Sequence, residues 1–108
     1  MYDKSQLMRG TLEGCILKIL SQNTSYGYEI VTTLLGYGFK DIKEGTIYPL
    51  LVRLEKKGII TSEMRPSPLG PSRKYYSITP DRVEYLNEFK TNWKQISQSV
   101  NQIFDTEV

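Results

Sequence analysis

Near the C-terminus the apolar residues Leu86, Phe89, Trp93, Ile96, Val100 and Ile103 recur with steps of three, four, three, four and three. That alternation is the a/d seam of a coiled coil, in which each apolar knob is received by a second helix. A stripe facing a globular core is wider and drifts toward a period of about 3.6 residues. The run closes a chain of 108 residues, roughly one domain of sequence. A helix leaving so small a body has little of its own chain to lie on. The spacing therefore predicts a dimerisation helix that carries these six residues. The competing reading is a helix folded back on its own domain.

The segments before it complete the outline. Residues 5–21 repeat Met8, Leu12, Cys15, Ile16 and Ile19 at helical spacing, while Leu7, Gly10, Gly14 and Leu17 form a second set on nearly the opposite side. A helix with two apolar faces has two things to pack against. Asn23-Thr24-Ser25 offers the N-cap of a second helix, with Tyr28, Val31, Leu34 and Leu35 as its apolar positions and Gly36 and Gly38 as its stop. A third helix spans about 45–57, with Pro49 expected in its first turn, where a missing N–H matters least. From Ile59 the period becomes that of strands. Ile59–Arg65 and Arg73–Thr79 predict a hairpin, joined by a loop containing Pro66, Pro68, Gly70 and Pro71. Thr79-Pro80-Asp81 then reads as N-cap, first helical position and first-turn acid of the last helix.

Composition removes most chemistries. There is no histidine and one cysteine, Cys15, so neither a Cys/His zinc site nor a histidine-activated nucleophile can be built. No glycine-rich phosphate loop of either common pattern occurs. An enzyme is not expected, and neither a metal nor a cofactor. The longest apolar runs are three residues, Cys15–Leu17 and Leu50–Val52, against the roughly 20 of a membrane span. With no apolar leader and a lone thiol, the expected location is the cytoplasm.

Charge points to a partner. Residues 40–74 hold eight basic and four acidic side chains, a surplus of four, whereas the rest of the chain holds six and eight. Positive charge gathered in the middle third is the footprint of a polyanion-binding surface, although a merely solvated basic face would look the same. The element order adds weight. Three helices followed by a hairpin is a winged helix-turn-helix, a mainly α (α+β) fold. Residues 1–79 would form the DNA-binding domain, with the wing at about 59–79, and 80–108 the dimerisation helix. The third helix would enter the major groove and the hairpin would touch the flanking backbone. The free N–H groups at Gly45 and Thr46 suit a phosphate. Thr46 and Tyr48 offer hydroxyls to phosphate or base edges, and Lys43 adds charge. Arg73 and Lys74 on the wing are expected to hold the backbone without reading sequence. Arg53 is placed among the DNA contacts, with a surface ion pair as its competing reading. Tyr28 and Tyr76 are expected in the core.

The blocks Tyr26-Gly27-Tyr28-Glu29-Ile30, Gly45-Thr46-Ile47-Tyr48-Pro49-Leu50-Leu51 and Arg73-Lys74-Tyr75-Tyr76 resemble the PadR family of bacterial transcriptional regulators. The resemblance implies a homodimeric repressor on a palindromic double-stranded operator, released by a small molecule, and it implies a phosphate contact at Tyr26. The single C-terminal helix is similar to that of the short, multidrug-sensing members, which stack ligands on a tryptophan of this helix. Trp93 is the only tryptophan. Beside it, the small residues Gly10 and Gly14 would leave room for a planar aromatic effector, and Glu13 or Glu88 would favour a cationic one. The competing reading has Trp93 only filling the dimer core. A winged helix used for protein–protein contact without DNA is the main functional alternative, and a soft-metal sensor is disfavoured by the lack of ligands.

Overall fold

The computed structural model describes residues 2–107. Helix α1 spans Ser5–Gln22 and buries Leu12, Gly14, Ile16, Leu17 and Leu20. Its start lacks a side-chain cap from Lys4. Asp3 serves instead, accepting the Ser5 N–H at 3.0 Å, and this bond holds its carboxyl below the usual range.

Strand β1, Ser25–Tyr26, was not visible as a period. It pairs antiparallel with β3 (Gly70–Ile78) through Ser25↔Tyr76 and Tyr26↔Tyr75. Helix α2 is therefore Gly27–Gly36, capped at Tyr26 rather than at Asn23–Ser25. Residues 25 and 26 are committed to the sheet, and Thr24 Oγ1 shares a 2.8 Å hydrogen bond with Ser77 Oγ. Glu29 accepts the Tyr26 N–H. The buried stripe of α2 is Ile30, Val31 and Leu34. Tyr28 and Leu35 lie off it, exposed at 61% and 45%, so the expectation of core positions there is corrected.

Helix α3, Glu44–Lys56, starts one residue before the expected point, which places Pro49 sixth, in the second turn. The proline leaves the Gly45 carbonyl without its N–H partner four residues on. Gly45 is exposed, so solvent can take that role. The turn after α3 closes on Gly58 at φ 73°, a left-handed conformation suited to glycine.

Strands β2 (Ile60–Ser67) and β3 run further than expected. Pro66, Gly70 and Pro71 lie inside strands, and only Pro68–Leu69 turns the chain. The prolines are tolerated because the register shifts between Arg65 and Ser67, so the ladder is interrupted where they fall. The sheet order is β1-β3-β2. After β3, Pro80–Arg82 form a 3-10 turn, and α4 then runs Val83–Phe104. Thr79 contributes its carbonyl to the Arg82 N–H at 2.8 Å, but its hydroxyl is buried without a partner instead of capping the helix.

One core gathers residues of α1, α2, α3 and the sheet, among them Ile16, Ile30, Leu34, Ile47, Leu51, Leu54 and Ile60. Leu86 is the buried residue of α4 within it. No described helix is long and apolar enough to cross a membrane.

Candidate nucleic-acid interface

A groove of about 470 Å³ opens where the head of α3, the start of α2 and the base of the wing meet. Tyr26, Tyr28, Glu44, Tyr48, Arg73 and Lys74 line it. The chain order explains the meeting. β1 ties the start of α2 to β3, and β3 carries Arg73 and Lys74 three and two residues before Tyr76, which the core buries.

The side chains are organised by stacking. The Arg73 guanidinium lies 4.5 Å from the centre of the Tyr26 ring. Tyr26 meets Tyr75 edge-on, with centroids 5.2 Å apart. Arg65 caps the other end, 4.8 Å from the Tyr75 ring, and its guanidinium is held by Glu63 at 2.6 Å. Cations over aromatic faces are weakly favourable at exposed sites and fix the guanidinium plane without neutralising it. Arg73 has no ion-pair partner among the described residues.

Lys74 is arranged differently. Its Nζ is 3.3 Å from Glu55 Oε1 on α3, and the Ser62 hydroxyl donates to Glu55 Oε2. The hydrogen bond from Ser62, then the ammonium, hold the Glu55 carboxyl below the usual range. The bond to Glu55 pushes Lys74 up, with the nearby Tyr76 hydroxyl helping. Tyr76 itself is raised by its burial.

The structure brings Tyr26, Tyr48, Arg73 and Lys74 into one groove, with Gly45 and Thr46 exposed at the head of α3 and Lys43 exposed just before it. It does not bring Arg53 there. That residue is two turns further along α3, paired with Glu13 of α1 at 3.4 Å rather than with Glu55. Two groove residues were missed. Tyr28 was assigned to the core, although two residues before Ile30 is nearly the opposite side of a helix. Glu44 occupies the first turn of α3, where its charge favours the helix dipole and competes with any phosphate for the same N–H groups.

A second groove, of about 630 Å³, lies between α1 and α4, lined by Leu7, Gly10, Glu13, Glu88, Trp93 and Ile96 among others. Gly10 is open, with nothing within 4 Å of where a Cβ would stand. The space over Gly14 is filled: a Cβ there would collide with one edge of the Phe89 ring. Phe89 and Leu86 thus pack on their own chain, and this is a correction to a seam reserved wholly for a partner. The remaining seam residues, Trp93, Ile96, Val100 and Ile103, stay 45–71% exposed. No three described His, Cys, Asp or Glu side chains converge as metal ligands would.

Known proteins share this architecture and sequence. A PadR-like transcriptional regulator from Bacillus cereus is 48% identical, with a TM-score of 0.83 covering 94% of this chain and 99% of that one. A Streptococcus transcriptional regulator is also 48% identical, at a TM-score of 0.81 over 93% and 98%. Transcriptional regulator Rv3488 of Mycobacterium tuberculosis is 28% identical over 95 residues, 88% of this chain and 87% of its own. The model of the transcriptional regulator PadR-like family matches residues 16–88, from the last two turns of α1 through α2, α3 and the wing to the start of α4. The chain therefore belongs to the PadR-like family of transcriptional regulators, a family of DNA-binding winged-helix proteins rather than a class of enzymes.

Proposed function

We propose that this regulator is a repressor that binds a palindromic operator as a homodimer and is released by a small planar or hydrophobic molecule. In this reading residues 1–79 hold the DNA and residues 80–108 hold the partner. The head of α3 enters the major groove, with Thr46 and Tyr48 at base edges, while Tyr26, Lys43, Arg73 and Lys74 grip phosphates. Two copies joined along Trp93, Ile96, Val100 and Ile103 would present two such heads to half-sites about one DNA turn apart. The effector would enter the groove between α1 and α4 and stack on Trp93.

The observation that carries the reading is the convergence of Tyr48, Tyr26 and Arg73, which has no ion-pair partner among the described residues, on one open groove at the head of α3. The test is a mobility-shift titration on the region upstream of the protein's own gene, repeated at several salt concentrations. Specific binding with log K falling steeply against log salt supports it. Salt-insensitive binding, or none at low salt, favours a protein–protein module instead.

A further inference from the structure

The tip of the wing holds a residue that folding does not call for. Pro68–Leu69 forms the turn, closed by the pair Ser67↔Gly70. Leu69 is 98% exposed, more than any other large apolar side chain described. Such turns favour Gly, Asn, Asp or Ser, which accept positive φ or bond the local backbone. Leu69 can bond nothing and does not have positive φ, a conformation held among described non-glycine residues by Asp41 alone. Pro68 and Pro71 fix φ on either side and stiffen the tip.

Below the tip the charge is equally unusual. Arg65 and Arg73 are direct partners in the register, so both side chains leave the sheet on one face. Like charges so placed destabilise a ladder. Stacking on Tyr75 and Tyr26 holds them there, and only Arg65 is paired with a carboxylate. The result is a stiff apolar point behind a cationic collar, at the end of a strand about 26 Å long at 3.3 Å per residue.

We propose that Leu69 is a wedge for the DNA minor groove. This rests on the reading above that α3 occupies the neighbouring major groove. The wing then lies along the flanking minor groove, with Arg73 and Arg65 toward its phosphate walls and Leu69 against the base edges. An apolar side chain inserted there partly unstacks a base step, most easily a flexible pyrimidine–purine step, and so reads sequence through deformability. A protein partner fits less well. One isolated leucine buries little area, whereas a wedge needs only one side chain, and the arginine collar complements phosphate.

The test uses the full-length protein and duplexes from its own upstream region. The step flanking each half-site is varied between TA and an A-tract, and 2-aminopurine is scanned through both flanks. Wild type should raise 2-aminopurine fluorescence at one step on each side and prefer TA there by roughly tenfold. Leu69→Ser should abolish the signal and bring the preference close to unity while still binding, and Leu69→Met should retain both. The exposure of Leu69 makes misfolding of these variants no obstacle. A Leu69→Ser protein equal to wild type in fluorescence and flank preference would overturn the wedge alone. A wild type that binds none of these duplexes at low salt would overturn the DNA reading, and the wedge with it.

Discussion

Glu55 decides how much of the wing's charge a ligand meets. It holds Lys74 with one carboxylate oxygen and receives Ser62 with the other, so α3 and the wing are tied together at the expense of a free ammonium. The carboxyl is depressed, so its stabilising effect is present above the ordinary carboxylate range and is lost as pH falls through the lower folded value. Lys74 is raised, so its share is present below the ordinary lysine range and is lost as pH rises through the higher value. Both therefore act at neutral pH. Glu55→Gln should keep the Ser62 bond, release Lys74, and tighten binding to random duplex by about two- to threefold at low salt, with a steeper salt slope. Filter binding across a salt series checks this, and an unchanged slope would show that Lys74 never reaches phosphate. The same scale separates the two glycines of α1. Gly10→Ala should stabilise the protein by about 0.5–1 kcal/mol through helix propensity. Gly14→Ala should destabilise it by about 1–3 kcal/mol, because the Phe89 ring must move. Thermal melts read both.

The elements divide into those with a period and those without. α1 and α4 were legible because eighteen and twenty-two residues repeat a pattern several times over. β1 was not, because two residues carry no period, and its existence depends on Tyr75 and Tyr76 arriving from fifty residues away. The capping of α2 was misplaced for the same reason. The wing's extent was hidden by its prolines, which mark a loop in sequence and a register shift in space. The grouping of Tyr48, Arg73 and Lys74 was legible from the fold order and Tyr26 only from the family resemblance, whereas Tyr28 was hidden by its own apolarity and Glu44 by its sign. Arg53 was misplaced because a positive residue on α3 looks alike whether it faces DNA or Glu13. At this scale the wing and the head of α3 should separate in their effects. Arg73→Ala should weaken binding to all duplexes alike and lower the salt slope by about one. Thr46→Ala or Tyr48→Phe should cost more on the operator than on random DNA. Competition titrations with both duplexes distinguish the two, and a changed preference among operator variants in Arg73→Ala would refute the division.

For the whole molecule, the question is what covers the outer half of α4. Leu86 and Phe89 anchor its first turns on α1. Beyond them the helix continues for more than three turns with Trp93, Ile96, Val100 and Ile103 exposed along one side. In water such a stripe is stable when another copy covers it, and a seam of this spacing accepts an identical helix. Ile96→Asp should then give monomers that bind operator far more weakly, since each head must engage alone, and sedimentation velocity would report the change in mass. Trp93 distinguishes a core residue from a ligand platform. It borders the α1–α4 groove beside open Gly10, with Glu13 and Glu88 on the rim. If it is a platform, planar cationic dyes should quench its fluorescence saturably, and Trp93→Ala should lose the dye while remaining a DNA-binding dimer. If it is a core residue, Trp93→Ala should sediment as a monomer and no dye should quench the wild type.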